Sequence, residues 1–369
     1  REGKEHFILG LLTLVLLYFA IIAWVLPLSY PMLIVWMVVA GLGIAKAKLT
    51  EYHPSKKLGF VMVPVAVLLL VNIWVTVGKT QAFALFTKAQ TSTNTKDVEA
   101  LLAKAAIIYP FDGFYRAQVE NSIQANRLLV SSSTMDKEVI KTEYLMNASS
   151  SVNSGLSAVR ANPSNYQNYV SLGQAYELAI PFDKEAGYDR AKKSYEEAVK
   201  IFPENPYIYI MLARLESSAG TKEGVRLQLT EALKKKQNFA DALYLMSQLE
   251  ASENKIDEAL NYAIEAVKNA PNDPLTYIQA GLLYYGKKDY QNAVTALQTA
   301  LQKDPNNANV AYFLALALRD GGRPDLAKQI GNELLKRNPG NPDLETFLRS
   351  LEVNSEQESV SATTKPVKK

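Results

Sequence analysis

The chain has no cysteine and only two histidines, His6 and His53, among 369 residues. The first absence removes disulfides, thiol nucleophiles and thiolate-bound metal together. The second leaves no imidazole ligand set, because neither histidine has a second His or a group of acidic residues nearby. Both flank apolar segments and read as interfacial polar residues. An excess of one charge is also missing. Forty Lys and Arg against 37 Asp and Glu give +3, too little for a phosphate-neutralising surface. No glycine-rich loop can cradle a phosphate, since Gly41 and Gly43 lie inside an apolar run, where they suit helix packing. Asn147, Ala148 and Ser149 spell a glycosylation acceptor, a three-residue match that is frequent by chance. The acidic residues of the carboxy-terminal part are scattered, as on solvated helix faces. No catalytic constellation can be assembled. The chain is expected not to be an enzyme, with no cofactor, no metal and no nucleic-acid partner.

What is present is a period. Prolines stand at 203, 271, 305 and 339, with Gln237 at the one skipped beat, a spacing of 34 residues. A fixed period of that length marks a stack of supersecondary units. Four contiguous units follow, 206–239, 240–273, 274–307 and 308–341. In 274–307 the first helix carries Tyr277, Ala280, Gly281 and Tyr284, and the second Ala293, Leu297 and Ala300 before Pro305. Small residues let two helices approach and large ones fill the adjoining holes. Proline ends the second helix because it lacks an N–H and disfavours helix in the residue before it.

The other units repeat these positions with Leu212 and Ala213, Met246 and Ser247, and Leu314 and Ala315. A fifth unit, 166–205, precedes them with Leu172, Gly173 and Tyr176, then Ala191, Tyr195, Ala198 and Pro203. Its Tyr-to-Ala step, 176 to 191 instead of 284 to 293, is six residues longer, so an insertion within 179–188 should bulge from the inter-helix turn. Residues 95–165 read as divergent helices of the same kind: a lone second helix over 97–110, then an overlong unit with Ser/Thr-rich turns at 131–134 and 149–154. Residues 342–353 suggest a capping helix, and the polar tail 354–369 should be disordered.

This pattern of large residue, Leu-Gly/Ala, Tyr, Ala, Phe/Tyr, Ala and Pro resembles the tetratricopeptide repeat (TPR). The resemblance implies an all-α chain whose repeats form a right-handed α-solenoid with a concave groove for protein or peptide partners. In that family the groove is lined from the first helix of each unit, at positions one after and three before the Leu-Gly/Ala pair. Those positions are Gln174 and Val170, Arg214 and Ile210, Gln248 and Tyr244, Leu282 and Ile278, and Leu316 and Tyr312; Tyr285 and Arg319 also point inward on this alignment. The candidate groove residues are therefore Gln174, Arg214, Tyr244, Gln248, Tyr285, Tyr312 and Arg319. The mixture suits an extended peptide or a glycan. The Lys/Asn ring by which some TPR co-chaperones clamp a terminal carboxylate is absent.

Residues 1–78 read as a membrane domain. Three apolar runs, 7–26, 27–45 and 58–77, are each long enough to cross a bilayer. Lys46, Lys48, Lys56 and Lys57 crowd the link between the second and third runs, and Arg1 and Lys4 flank the first. Short basic loops stay inside. The third span then exits, so the expectation is an inner-membrane protein with extracytoplasmic repeats. Trp24, Tyr30 and Trp74 fall near the outer interface, while Lys79 and Lys88 pull against this topology.

Two functions fit. One is a membrane-anchored scaffold for protein partners at the bacterial cell envelope. The other follows from a second resemblance: an apolar hairpin without a charged turn, 21–45, ahead of extracytoplasmic TPRs is similar to bacterial O-antigen ligases and polymerases that carry carboxy-terminal TPRs. That resemblance implies a glycan-joining parent whose catalytic part lies upstream of Arg1, and the missing initiator Met fits a chain cut from a longer one.

Overall fold

The computed structural model describes residues 56–132 and 135–351, with side chains for 67, 70–132 and 135–351. The chain divides into two compact units, Arg1–Val75 and Thr76–Lys369. The apolar runs 7–26 and 27–45, both histidines, the 21–45 hairpin and the tail 354–369 lie outside the described residues. Among the residues described, no helix is long and apolar enough to cross a membrane. The run 58–77 falls mostly outside the described side chains.

All regular structure in the described residues is helical. α1 spans Lys56–Thr91, α2 Thr95–Ile108, α3 Asp112–Ser131 and α4 Lys137–Ala161. Five helix pairs follow: α5 Tyr166–Glu177 with α6 Lys184–Ile201, α7 Pro206–Ala219 with α8 Lys222–Lys235, α9 Ala240–Ser252 with α10 Ile256–Asn269, α11 Pro274–Gly286 with α12 Tyr290–Lys303, and α13 Ala308–Asp320 with α14 Pro324–Arg337. A last helix, α15, covers 342–351. From α2 to α14 each helix packs on the next, and first helices also touch across units, α5 on α7, α9 on α11 and α11 on α13.

The turns explain why the period is so strict. Residues 220, 254, 288 and 322, each 34 beyond the last, all adopt positive φ, as Gly220, Asn254, Lys288 and Gly322. A left-handed residue follows the first helices α7, α9, α11 and α13 and reverses the chain. Glycine takes that conformation freely and asparagine with little strain, whereas Lys288 must be held there by its neighbours. Its N–H donates to Tyr285 O at 2.9 Å, and the next N–H, of Asp289, reaches back to Tyr284 O at 2.9 Å. The opposite ends are capped by side chains: Asn165, Asn205, Asp273 and Asn307 each accept a first-turn N–H of the helix that follows.

The core runs along the stack as linked clusters. Tyr195, Ile208, Ile210, Leu215, Leu229 and Ala242 form one with their neighbours, and Leu297, Val310, Leu314, Leu318 and Ala327 form another with Phe347, Leu348 and Leu351 of α15. The small position of the repeat is sterically required. A β-carbon at Gly173 would meet Tyr195 Cε1 at 2.4 Å, and one at Gly281 would meet Leu297 Cγ at 2.7 Å. At the amino end, Phe83, Phe86, Phe111 and Phe114 pack with ring centroids 5.1–6.5 Å apart, around Ala82, Ala105 and Ala106.

Three expectations are corrected here. Residues 149–154 are not a turn; they lie inside α4, where Ala148, Ser151, Gly155 and Ala158 give a buried small-residue face. The insertion in 179–188 is not a free bulge. Its last residues lengthen α6 to 18 residues against 14 in α8, and Phe182 packs back on Tyr144 at 5.4 Å. The acidic residues are not all solvated: Glu216 and Glu250 are 5% and 4% exposed.

Candidate functional site

Each first helix has one side in the core and one side open, and the candidate residues divide between the two. Ile210 is wholly buried and Val170 nearly so, which removes both from the groove set. They face the second helices because the three-before position lies on the flank of the apolar stripe, where a branched aliphatic is drawn inward. Ile278 is half-buried against the carboxy-terminal cluster. Gln174, Tyr244, Leu282 and Leu316 are half-buried; Arg214 and Gln248 are exposed.

Cross-links between successive first helices mark the shared face. Gln174 Nε2 lies 3.9 Å from Met211 Sδ, joining α5 to α7. Gln279 Nε2 donates to Ser247 Oγ at 3.2 Å, joining α11 to α9. Tyr285 Oη donates to Asp320 Oδ2 at 2.7 Å, joining α11 to α13. Within α9, Gln248 Nε2 donates to Tyr244 Oη at 2.8 Å. The positive charge of Arg214 is felt on both sides: it favours the ionised forms of Glu177 on α5 and Tyr244 on α9. Burial nevertheless dominates at both and raises their pKa values. Gln174, Arg214, Tyr244 and Gln248 thus fall on neighbouring helices and share one face.

The remaining candidates are engaged at the other end of the stack. Arg319 Nε holds Asp320 Oδ1 at 2.7 Å, and its guanidinium lies 5.6 Å from the Phe347 ring. Tyr312 meets the same Phe347 edge-to-face at 5.7 Å. Burial and the Asp320 hydrogen bond push the Tyr285 hydroxyl up to about 12. Arg319 and Tyr312 therefore brace the last repeat against α15, while Tyr285 ties α11 to α13.

Sequence reasoning passed over Tyr207 and Leu275, which are exposed at the start of α7 and α11. Their signal was available, since they occupy the same beat of the period, two units apart. An open cleft of about 470 Å3 also lies between α3 and α4, lined by Tyr115, Gln118, Met146, Asn153 and several serines. Asn147, of the glycosylation pattern, is mid-helix, with Nδ2 donating to Asn126 Oδ1 at 2.8 Å. Among the described residues no group of His, Asp and Glu is placed to hold a metal.

The architecture so far defines an all-α helical-repeat solenoid. Within that class the chain carries the tetratricopeptide repeat: the family model for this repeat matches residues 284–351. A TPR repeat-containing protein of Methanocaldococcus jannaschii is 27% identical over 156 residues, 40% of this chain and 27% of that protein. Yeast Tom70 superposes with a TM-score of 0.54 at 16% identity, over 76% of this chain and 56% of its own. The structure of Pseudomonas aeruginosa pilF aligns at TM-score 0.46 and 14% identity, over 64% of this chain and 99% of its own. The chain therefore matches well under two thirds of the length of the archaeal protein and of Tom70.

Proposed function

We propose that this chain is a membrane-anchored scaffold at the bacterial cell envelope, whose first-helix face holds an extended peptide segment of a protein partner. TPR proteins bind protein or peptide partners and are typically non-enzymatic. The observation that carries the reading is the row of exposed Tyr207, Arg214, Gln248 and Leu275, with half-buried Tyr244 beside Gln248, on three first helices. It offers aromatic faces and an aliphatic side chain for apolar contact, with a guanidinium and an amide to bond a peptide backbone.

Anchoring is supported by α1. Val67, Leu70, Val71, Ile73, Trp74, Val75 and Val77 are all exposed, Trp74 at 76%. Apolar side chains around the whole circumference of a helix are stable when lipid or protein surrounds them. The basic 46–57 link favours placement in the inner membrane with the repeats outside.

The test of the groove uses the compact unit 76–369. Peptides selected on it from a random library should bind the Arg214→Ala/Tyr244→Ala/Gln248→Ala variant at least about tenfold more weakly, as expected when interface anchors are removed. Equal affinity for the unchanged and triply substituted units would place binding elsewhere.

A further inference from the structure

The turn between α2 and α3 exposes an isoleucine at a position that carries a polar residue in the later units, although Ile201 and Phe202 are also open at the α6–α7 turn. Ile107 is 83% exposed, and Ile108 and Phe111 are open beside it. Counted from the proline beat, the counterparts of Ile107 are Arg160, Lys200, Lys234, Lys268, Gln302 and Lys336. Those of Phe111 are Ser164, Glu204, Asn238, Asn272, Asn306 and Gly340. A cation at a helix carboxyl end is favoured by the helix dipole, and water solvates it. Neither the turn nor the helix end therefore calls for isoleucine. Phe111 is held by Phe83 and Phe114, but at the Ile107 position something other than the fold accounts for an apolar side chain.

Charge around the tip has one sign. No acidic residue lies between Glu99 and Asp112, and Asp112 is turned inward, where its Oδ2 accepts from Arg116 at 3.0 Å, Asn165 at 2.8 Å and Asn168 at 3.1 Å. Lys79 and Lys104 are exposed, and Lys79 Nζ lies 5.9 Å from the Tyr109 ring. The location is the second observation. α2 runs back along α1, so that a β-carbon at Gly78 would sit 3.6 Å from Ile108 Cγ2. The stretches from Gly78 to Thr91 and from Thr95 to Ile108 are equally long, about 20 Å each. The tip thus returns to the level of Gly78, the first residue beyond the apolar run 58–77.

We infer that the α2–α3 turn is a lipid-contacting tip. Ile107 and Ile108 enter the boundary between headgroups and acyl chains, beside the open edge of Phe111, with Tyr109, Lys79 and Lys104 at the level of the phosphates. This rests on the reading of 58–77 as a membrane anchor. It adds a second contact with the bilayer, made by the first turn of the solenoid.

The absence of native cysteine allows a direct test. Ile107→Cys, Val71→Cys and Leu227→Cys full-length chains, each carrying a nitrobenzoxadiazole probe, are reconstituted in phosphatidylcholine–phosphatidylglycerol vesicles with and without doxyl-labelled lipid. The expected result is loss of emission at 107 comparable with that at 71, and none at 227. Quenching at 71 with a blue-shifted but unquenched probe at 107 would mean that protein, a second copy or residues 7–45, covers the tip. Quenching at 71 with a water-exposed spectrum at 107 would leave the tip in solvent. Either overturns the lipid contact while the anchor stands. No quenching at 71 or 107 removes the anchor and the contact together.

Discussion

At the scale of single residues, the most informative feature is a pair of ionic contacts that repeat with the period. Lys192 Nζ reaches Glu216 Oε1 at 2.9 Å, and 34 residues later Arg226 grips Glu250. In each case a second helix supplies the cation and the first helix of the next unit a buried carboxylate, at the position where the repeat otherwise has a large side chain. The next two junctions put Leu260 and Tyr284, then Val294 and Leu318, at these places, within apolar clusters. Both solutions fill the same space. The ionic one carries a desolvation cost that its hydrogen bonds must offset, so losing one partner is worse than losing both. Hydrogen bonding to Arg226 holds the Glu250 carboxyl below its ordinary range, and Lys192 and Thr221 do the same for Glu216 against the opposing effect of burial. A depressed carboxylate contributes stability above its unfolded pKa, about 4.3, and that stability is lost as pH falls through the folded value. Glu250→Ala at pH 7 should therefore cost roughly 2 kcal/mol, and Arg226→Leu/Glu250→Leu much less. Urea melts at pH 7 and pH 3 check this: the Glu250→Ala deficit should shrink at the lower pH, and an unchanged deficit would assign it to packing alone.

At the scale of helices, the ends of the stack are where the repeat rule gives way. α15 takes the place of a further first helix. Phe347 and Leu348 lie against Gly331 so closely that a β-carbon there would meet Leu348 Cδ2 at 2.8 Å and Phe347 Cε1 at 3.1 Å. Phe347 also receives Tyr312 and Arg319, so one ring seals the last repeat from both its helices. A solenoid unit is stabilised only by its neighbours, which makes the damage from a change at the end local. Phe347→Ala should cost about 3 kcal/mol and fall on the last pair. Hydrogen exchange is expected to quicken in α13 and α14 with α5–α8 unchanged; uniform loss of protection would show a single cooperative core. The periodicity predicts the pairs, because small and large residues recur on one face. The course of 149–154 was hidden, since its serines read as turn residues while packing decided for helix. The insertion was hidden for a related reason. Its last residues join α6 through Gly187, whose β-carbon position lies 3.0 Å from the Ile180 nitrogen, a close approach that no local pattern encodes.

At the scale of the whole molecule, function depends on where the stack is held and which face it presents. If the run 58–77 leaves the membrane outward, a reporter enzyme active only in the periplasm should be active when joined after residue 95, assayed in intact cells; a silent fusion would put the repeats in the cytoplasm. The groove shows how far a sequence reading reaches. Arg214 and Gln248 are exposed and Tyr244 is half-buried, at positions that follow from helical spacing alone. Tyr312 and Arg319 follow the same spacing yet meet Phe347, which lies beyond the last unit.

The sequence alone determined the period, the paired helices and the close-packed small positions. Each arises from contacts within about one repeat length, so local side-chain size and backbone preference suffice. Tertiary structure decided which carboxylates are buried and paired, which first-helix residues remain open, and where the first turn lies beside α1. Those depend on the neighbouring unit or on the ends of the stack, where a residue's surroundings are supplied by chain far from it.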